Sequence, residues 1–428
     1  MTNRLSVAPS ARRLTNSLRD IGYSFESAIA DLIDNSIAAH ATTVDIEIVF
    51  KGRNSYISLT DNGEGMSSET LNEAMRFGSR RSYDIGELGR YGLGLKTASL
   101  SQCRRIEVVT SRENEPIQAR ALDLNFIEVV DDWLITDISD EPEIIQHAGT
   151  YLPHTGTSVF WKSLDRLLPA KAPEGGWARR RIESLPVKLE SYLAMVFHRF
   201  LSGETENNLV ITINGKPVDA WDPFARSELA TQELGSDEFE IEHKSGVGKV
   251  QLRRYLLPTR DNFSTSQAYD SLSGIDKWNK QQGLYIYRSN RLVQWSGWAG
   301  IRTIDEHTKY ARASLDFDTD LDSAFNINVA KMRVTVPSEL RKMLSRPINE
   351  LCIQADAEYR RSELAKTSSG EHDQDSSPSF GGRKEDGATI GLTLRAAAAR
   401  TGHLEALDEM MKLIKSEIPD LAEHLGFD

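Results

Sequence analysis

The sequence predicts an α/β chain of two units, the first a sandwich of a mixed sheet and a helix layer, the second again α/β. Three observations carry this. Apolar alternation of period two, as in TVDIEIVF at 43–50, is interleaved with helical stripes such as FESAIADLIDNSIAAH at 25–40. A Pro- and Gly-rich stretch near 166–176, LLPAKAPEGG, breaks that pattern, and a new run of strands and helices follows it. A length of 428 residues fits two or three cores rather than one.

Taken in order, residues 1–22 form an N-terminal arm, and 23–168 the first unit. Its opening helix carries Ile29, Leu32, Ile33, Ser36 and Ile37 on one stripe. Val44, Ile46, Ile48 and Phe50 line one face of the strand after it. YISLTD at 56–61 is a second strand that runs into the turn DNGEGM. SSETLNEAMRFG has Ser67 or Ser68 as a helix cap with Glu69 and Glu73 in the first turns, and should end at Gly78. GLKTASLSQ is a helix opened by glycines, and RIEVVTS, QARALDL, EVVDDWLIT and TSVFWKS are further strands.

The second unit, 177–366, starts with a long helix over about 177–202. Strands follow in NLVITING, in the hairpin FEIEHKSGVGKVQLRRYLL, in GLYIYRSNRLVQW with a tight turn at Ser289–Asn290, and in RASLDFD. Pro337–Ser338 then marks the start of a helix from about 337 to 366. Residues 367–390 are rich in Ser, Gly and Asp and have too little apolar surface to order, so they are a flexible linker. In 391–428, Leu404, Leu407, Met411 and Ile414 recur at helical spacing. A lone amphipathic helix is marginal, so this one should dock on the chain itself or on a protein partner.

Composition excludes several classes. No apolar run approaches the ~18 residues of a membrane span, and the N-terminal MTNRLSVAPSARRLTNSLRD has no apolar centre, so a cytoplasmic protein is expected. Cys103 and Cys352 are too few for a disulfide framework, and the nine His show no metal-ligand spacing. A net charge of −12 argues against nucleic-acid binding by the whole surface. The basic clusters Arg12–Arg13 and Arg179–Arg181 fit solvated helix faces better than phosphate sites.

Three local patterns carry chemistry. Asp31 and Asn35, four residues apart, project from one helix face. An amide oxygen suits Mg²⁺ and a carboxylate can activate water, although the pair taken alone fits a polar solvent face better. Asp61 ends a strand before Asn62-Gly63-Glu64-Gly65-Met66. That is either a plain turn or an adenine reader, in which a fixed carboxylate accepts from the amino group and Gly65 lets the backbone approach the base. Finally Gly86, Gly89, Gly92 and Gly94 precede a helix with Lys96 in its first turn. Glycines and free N–H groups at a helix start make a phosphate nest, and an anion would offset the unfavourable lysine. This is neither a Walker loop nor a dinucleotide fingerprint.

Together DLIDNSIAAHA at 31–41, DNGEGM at 61–66, GRYGLGLKTAS at 89–99 and GTSVFWKSL at 156–164 resemble the GHKL ATPase superfamily, which includes type II topoisomerase ATPase subunits, MutL, the ninety-kilodalton heat-shock chaperones, histidine kinases and MORC proteins. RFGSRRSYDIGELGRYGLGLKTAS and GLYIYRSNRLVQW are most similar to MORC proteins, and FNINVAKMRVTV at 325–336 resembles a MutL segment. The resemblance implies a Bergerat-type two-layer sandwich followed by a transducer-like domain. It implies ATP and Mg²⁺ as ligands, with Asn35 on the metal, Asp31 as base and Asp61 on adenine, beside Gly65 and Met66. Gly89, Gly92, Gly94, Lys96 and Thr97 would hold phosphates. Thr157 would lie near Asp61, and Lys331 would reach the γ-phosphate from the second domain. Residues 79–89, beginning with Ser79 and Arg80, would be a lid.

Two departures stand out. The family's base is Glu where this chain has Asp31, and a displacement of ~1 Å can cost about 10²-fold in rate. An acidic residue often found three positions after the Asn is Ala38 here. The implied activity is therefore a slow ATPase that dimerises on ATP, with an N-terminal arm ordered or exchanged according to nucleotide. DNA is the leading client. The alternative is a remodelling or signalling module, or an inactive ATP sensor, that recruits a protein through 391–428 without DNA.

Overall fold

A computed structural model describes residues 9–20, 22–78, 94–152, 154–206, 208–243, 246–274, 277–327, 334–369 and 404–417. The chain divides into two units, Met1–Leu364 and Ala365–Asp428.

The first sheet and its cover are built from α1 (Ala11–Arg19), α2 (Phe25–Ala38), β1 (Thr43–Val49), β2 (Tyr56–Asp61), α3 (Ser68–Met75), α4 (Gly94–Leu100), β3 (Arg105–Ser111), β4 (Gln118–Asp123), α5 (Leu124–Val130), β5 (Thr136–Asp137), α6 (Pro142–Tyr151) and β6 (Gly156–Lys162). They continue through α7 (Gly176–Glu183), α8 (Leu185–Val196), α9 (His198–Leu201), β7 (Val210–Ile213) and β8 (Lys216–Pro217). The strand order is β5-β4-β3-β6-β2-β1-β7-β8. Among the described residues of this sheet only the β1–β7 pairing is parallel, so the sheet is mixed. Alternation along β1 buries Val44, Ile46 and Ile48, as the period-two pattern requires. Ile29 and Ile33 of α2 join the same core, where Phe25 meets Trp161 edge to face at 6.2 Å. α2 is also packed against α4 and α8, which leaves Asn35 and Ala38 as its exposed residues.

The second sheet comprises β9 (Gln232–His243), β10 (Gly246–Leu256), β11 (Gly283–Arg288), β12 (Arg291–Gln294) and β13 (Ala311–Phe317), in the order β12-β11-β13-β10-β9. The short helices α10 (Ser266–Leu272) and α11 (Trp278–Gln281) lie between β10 and β11, and α12 (Ser338–Ser369) follows. Leu340, Leu344, Ile348 and Leu351 of α12 share the core of Leu252, Tyr285 and Leu315. The second unit holds α13 (Leu404–Glu417), at the helical spacing expected. The proposed linker 367–390 lies mostly outside the described residues.

Several elements depart from the sequence reading. EVVDDWLIT is not a strand: its first residues end α5, and only Thr136–Asp137 pair. Asp123 caps α5 by accepting from the Asn125 N–H, which puts Leu124 and Ile127 inward and leaves Val129 exposed. The long helix expected over 177–202 is three short ones, with Pro186 in the first turn of α8. Residues 176–218, although they follow the Pro- and Gly-rich break, contribute α7, α8, β7 and β8 to the first sheet and its core. Within the N-terminal arm, Ser10 caps α1, and Arg19 is buried, donating to Leu100 O at 2.7 Å and pairing with Asp165 at 2.5 Å.

Candidate functional site

The two ends of the Asp31–Asn35 pair sit in different surroundings. Asn35 is exposed, whereas Asp31 is 2% exposed because α4 covers it; a Cβ added at Gly94 would lie 3.3 Å from Asp31 Oδ2. The buried Tyr23 hydroxyl donates to that same oxygen at 2.6 Å. Burial, then the Asp31 charge, push the ionisation of Tyr23 well up, so the phenol stays a donor; its hydroxyl also meets the Thr97 side chain. A solvent-facing reading thus holds for Asn35 and fails for Asp31.

Asp61 is 6% exposed at the end of β2, opposite Thr157 of β6. The Ser36 hydroxyl donates to Oδ2 at 2.8 Å and the Gly63 N–H to Oδ1 at 2.9 Å. Burial raises the pKa of Asp61, and the Gly63, Ser36 and Thr157 donors pull it back. The carboxylate is therefore held rigidly, with lone pairs to spare. Ser36 was counted in the apolar stripe of α2; a serine at such a position is the one sign that it serves a buried acceptor.

The turn beyond is pinned from both sides. Asn62 Oδ1 accepts from Thr42 N and Thr43 N at 2.8 and 2.9 Å. The Met66 N–H donates to Thr110 Oγ1 at 2.9 Å, and that hydroxyl reaches Gly156 O at 3.0 Å and Thr157 Oγ1 at 3.1 Å. Thr110, on β3, was not singled out from sequence. Gly65 has φ +70°, and a Cβ there would meet Ser111 O at 2.0 Å. The fold itself therefore demands glycine at this position, before any ligand is considered.

Lys96 is 1% exposed, and its ammonium donates to Ala74 O at 2.7 Å and Arg76 O at 2.6 Å. Those carbonyls lie at the C-terminal end of α3, so the unfavourable lysine at the head of α4 is offset by the negative end of a neighbouring helix. Burial lowers its pKa to about 8, against the pull of Glu73. Ser79, Arg80, Gly89, Gly92 and Lys331 lie outside the described residues. The structure thus brings together Tyr23, Asp31 and Thr97 as one cluster and Ser36, Asp61, Gly65, Met66, Thr110 and Thr157 as another. Sequence reasoning also missed Asp34, which pairs with Arg291 of β12.

Among the described residues no group of three His, Cys, Asp or Glu could hold a metal alone, and no helix is long and apolar enough to cross a membrane.

Residues 23–150 match the family model described as histidine kinase-, DNA gyrase B-, and HSP90-like ATPase. The chain is 36% identical to ATPase morc-1 of Caenorhabditis elegans over 89 residues, 20% of this chain and 10% of that protein. It is 26% identical to the DNA mismatch repair protein MutL of Thermosipho melanesiensis over 196 residues, 45% of this chain and 31% of that protein. With MutL of Shewanella loihica the identity is 38% over 98 residues, 22% of this chain and 15% of that protein. The chain therefore spans no more than about a third of the length of these relatives.

Proposed function

We propose that this chain, whose residues 23–150 belong to the histidine kinase-, DNA gyrase B- and HSP90-like ATPase family, is an ATP-operated switch with slow turnover. The observation that carries the reading is Asp61, a buried carboxylate oriented by Ser36 and Gly63 with acceptor capacity left for a base amino group. A site that accepts there discriminates adenine from guanine, which presents a carbonyl at the same position. Asn35 would ligate Mg²⁺, and Thr157 would flank Asp61. Mg²⁺ held there would supply positive charge against that of the phosphates. Gly89, Gly92, Gly94, Lys96, Thr97 and Lys331 are proposed to hold the triphosphate, with residues 79–89 over it. For Lys96 this requires its ammonium to exchange the carbonyls of Ala74 and Arg76 for phosphate oxygens.

Slow turnover is supported by Asp31. It is shorter than glutamate and its Oδ2 already accepts from Tyr23, so water competes for a carboxylate in use. ATP would favour the closed state by binding it more tightly, and that closed state is proposed to be a homodimer. The names of the MutL relatives refer to mismatch repair, which favours DNA as the client. With a net charge of −12, contact with DNA would be local and strongly salt-dependent. The second reading, an ATP sensor that barely hydrolyses and recruits a protein through 391–428, is favoured by the same Tyr23–Asp31 bond.

The test is titration of the purified chain with Mg²⁺ and a non-hydrolysable ATP analogue, followed by light scattering and a gel shift at two salt concentrations. Binding with a doubling of mass and a nucleotide-dependent shift supports the switch acting on DNA; binding without a shift favours the sensor. Asp31→Asn should keep binding and abolish turnover, and Asn35→Ala should lose Mg²⁺-dependent binding. No affinity for the analogue would overturn the reading.

A further inference from the structure

The hairpin of β11 and β12 turns through Ser289 and Asn290, both left-handed at φ 45° and 67°, as a two-residue connection demands. The next residue, Arg291, begins β12, and its side chain meets α2. Its Nε lies 2.8 Å from Asp34 Oδ1, with the two side chains 2% and 0% exposed. At the other end of the same strand, Gln294 Oε1 accepts from Val334 N at 3.1 Å. Val334 stands three residues after Lys331 in the chain. One strand of four residues thus grips the helix that carries Asp31 and Asn35, and also the segment leading into α12.

The groups around Arg291 come from several elements: Asp34 and Asp31 on α2, Tyr23 before it, Tyr192 on α8, and the Phe197 ring at 5.8 Å. Burial pulls its pKa down, and Asp34, followed by Tyr192, Asp31 and Tyr23, more than offsets that, so the guanidinium is held charged. A buried pair is a poor way to gain stability, because apolar residues of similar volume do as well or better. What such a pair supplies is register. Asp34 immediately precedes Asn35 and lies nearly one turn after Asp31.

We infer that Arg291 is a positioning residue for the nucleotide site: through Asp34 it sets the roll of α2, and with Gln294 it makes β12 the link between that helix and the second sheet. The inference rests on the nucleotide reading above and adds its regulation. A ligand on Asn35 biases the position of α2. Arg291 carries that bias to β12, and Gln294 carries it to residues 334–336.

Hydrogen exchange of the full chain, with Mg²⁺ and a non-hydrolysable ATP analogue or without, tests this. Wild-type peptides covering 283–294 and 334–344 should gain protection on binding. Arg291→Met combined with Asp34→Leu removes both charges and so leaves neither orphaned. This variant should bind the analogue within roughly threefold of wild type, lose the protection change, and show kcat lowered about tenfold at unchanged KM. Should it fail to fold, Arg291→Lys, which keeps the charge without the fork, should transmit a smaller protection change. Wild-type transmission in either folded variant, or no nucleotide response of these peptides in the wild type, overturns the coupling. Absence of any analogue binding by the wild type overturns the nucleotide reading instead.

Discussion

Replacing Asp61 by asparagine separates the fold from the proposed base recognition. In the wild type, one carboxylate oxygen accepts from Ser36 at 2.8 Å and the other from Gly63 at 2.9 Å. The Gly63 N–H can only donate, so in the variant it takes the amide oxygen, which has two lone pairs. The Ser36 hydroxyl can rotate and accept from the new NH₂. Gly63 and Ser36 keep partners and a buried charge disappears, so folding stability should change by no more than about 1 kcal/mol. Binding fares differently. The adenine amino group loses an ionised acceptor, worth about 1.5–3 kcal/mol, and faces a donor instead. That is roughly 10- to 150-fold in Kd. Guanine, with an acceptor at that position, gains on adenine. Calorimetric titration of Asp61→Asn with Mg²⁺ and adenine or guanine nucleotide analogues, beside denaturant melts, reads both quantities. A folded variant within threefold of wild-type affinity and with unchanged base preference would refute the assignment of Asp61.

Tyr23→Phe removes a hydrogen bond to a buried carboxylate and should cost about 1.5–3 kcal/mol in urea unfolding. Turnover per bound ATP should rise because an Asp31 oxygen is freed; unchanged turnover would mean that Tyr23 does not restrain it. Gly65→Ala adds a Cβ that would sit 2.0 Å from Ser111 O at φ +70°. Left-handed strain and forced displacement of β3 should together lower stability by about 2–4 kcal/mol, and a loss under 1 would show that the turn has room. His198 is fully buried, bonded to Tyr287 Oη at 2.8 Å, and burial lowers its pKa from 6.5 to about 4. The unfolded chain therefore takes up this proton first, and stability falls as pH drops from about 6.5 to 4, by about 3 kcal/mol at most. His198→Gln should remove that part of the acid sensitivity, measured as the difference between wild-type and variant unfolding curves.

Local spacing by itself determined much of this protein. Period-two alternation marked β1, the serine and glutamate pattern marked α3, Ser289–Asn290 marked the β11–β12 turn, and the order of three motifs pointed to the family whose model residues 23–150 match. These signals lie within one element or one turn, where sequence distance and spatial distance nearly coincide. Tertiary structure alone decided which polar groups meet. Ser36 belongs to Asp61, Lys96 to the carbonyls ending α3, Tyr23 to Asp31, and Arg291 to Asp34 across two sheets. It also moved residues 176–218 into the first sheet, since β7 finds its parallel partner in the distant β1. The physical reason is common to all of them. A buried donor, acceptor or strand edge must be satisfied, but it takes whichever partner the folded chain brings within about 3 Å, and periodicity carries no record of that choice.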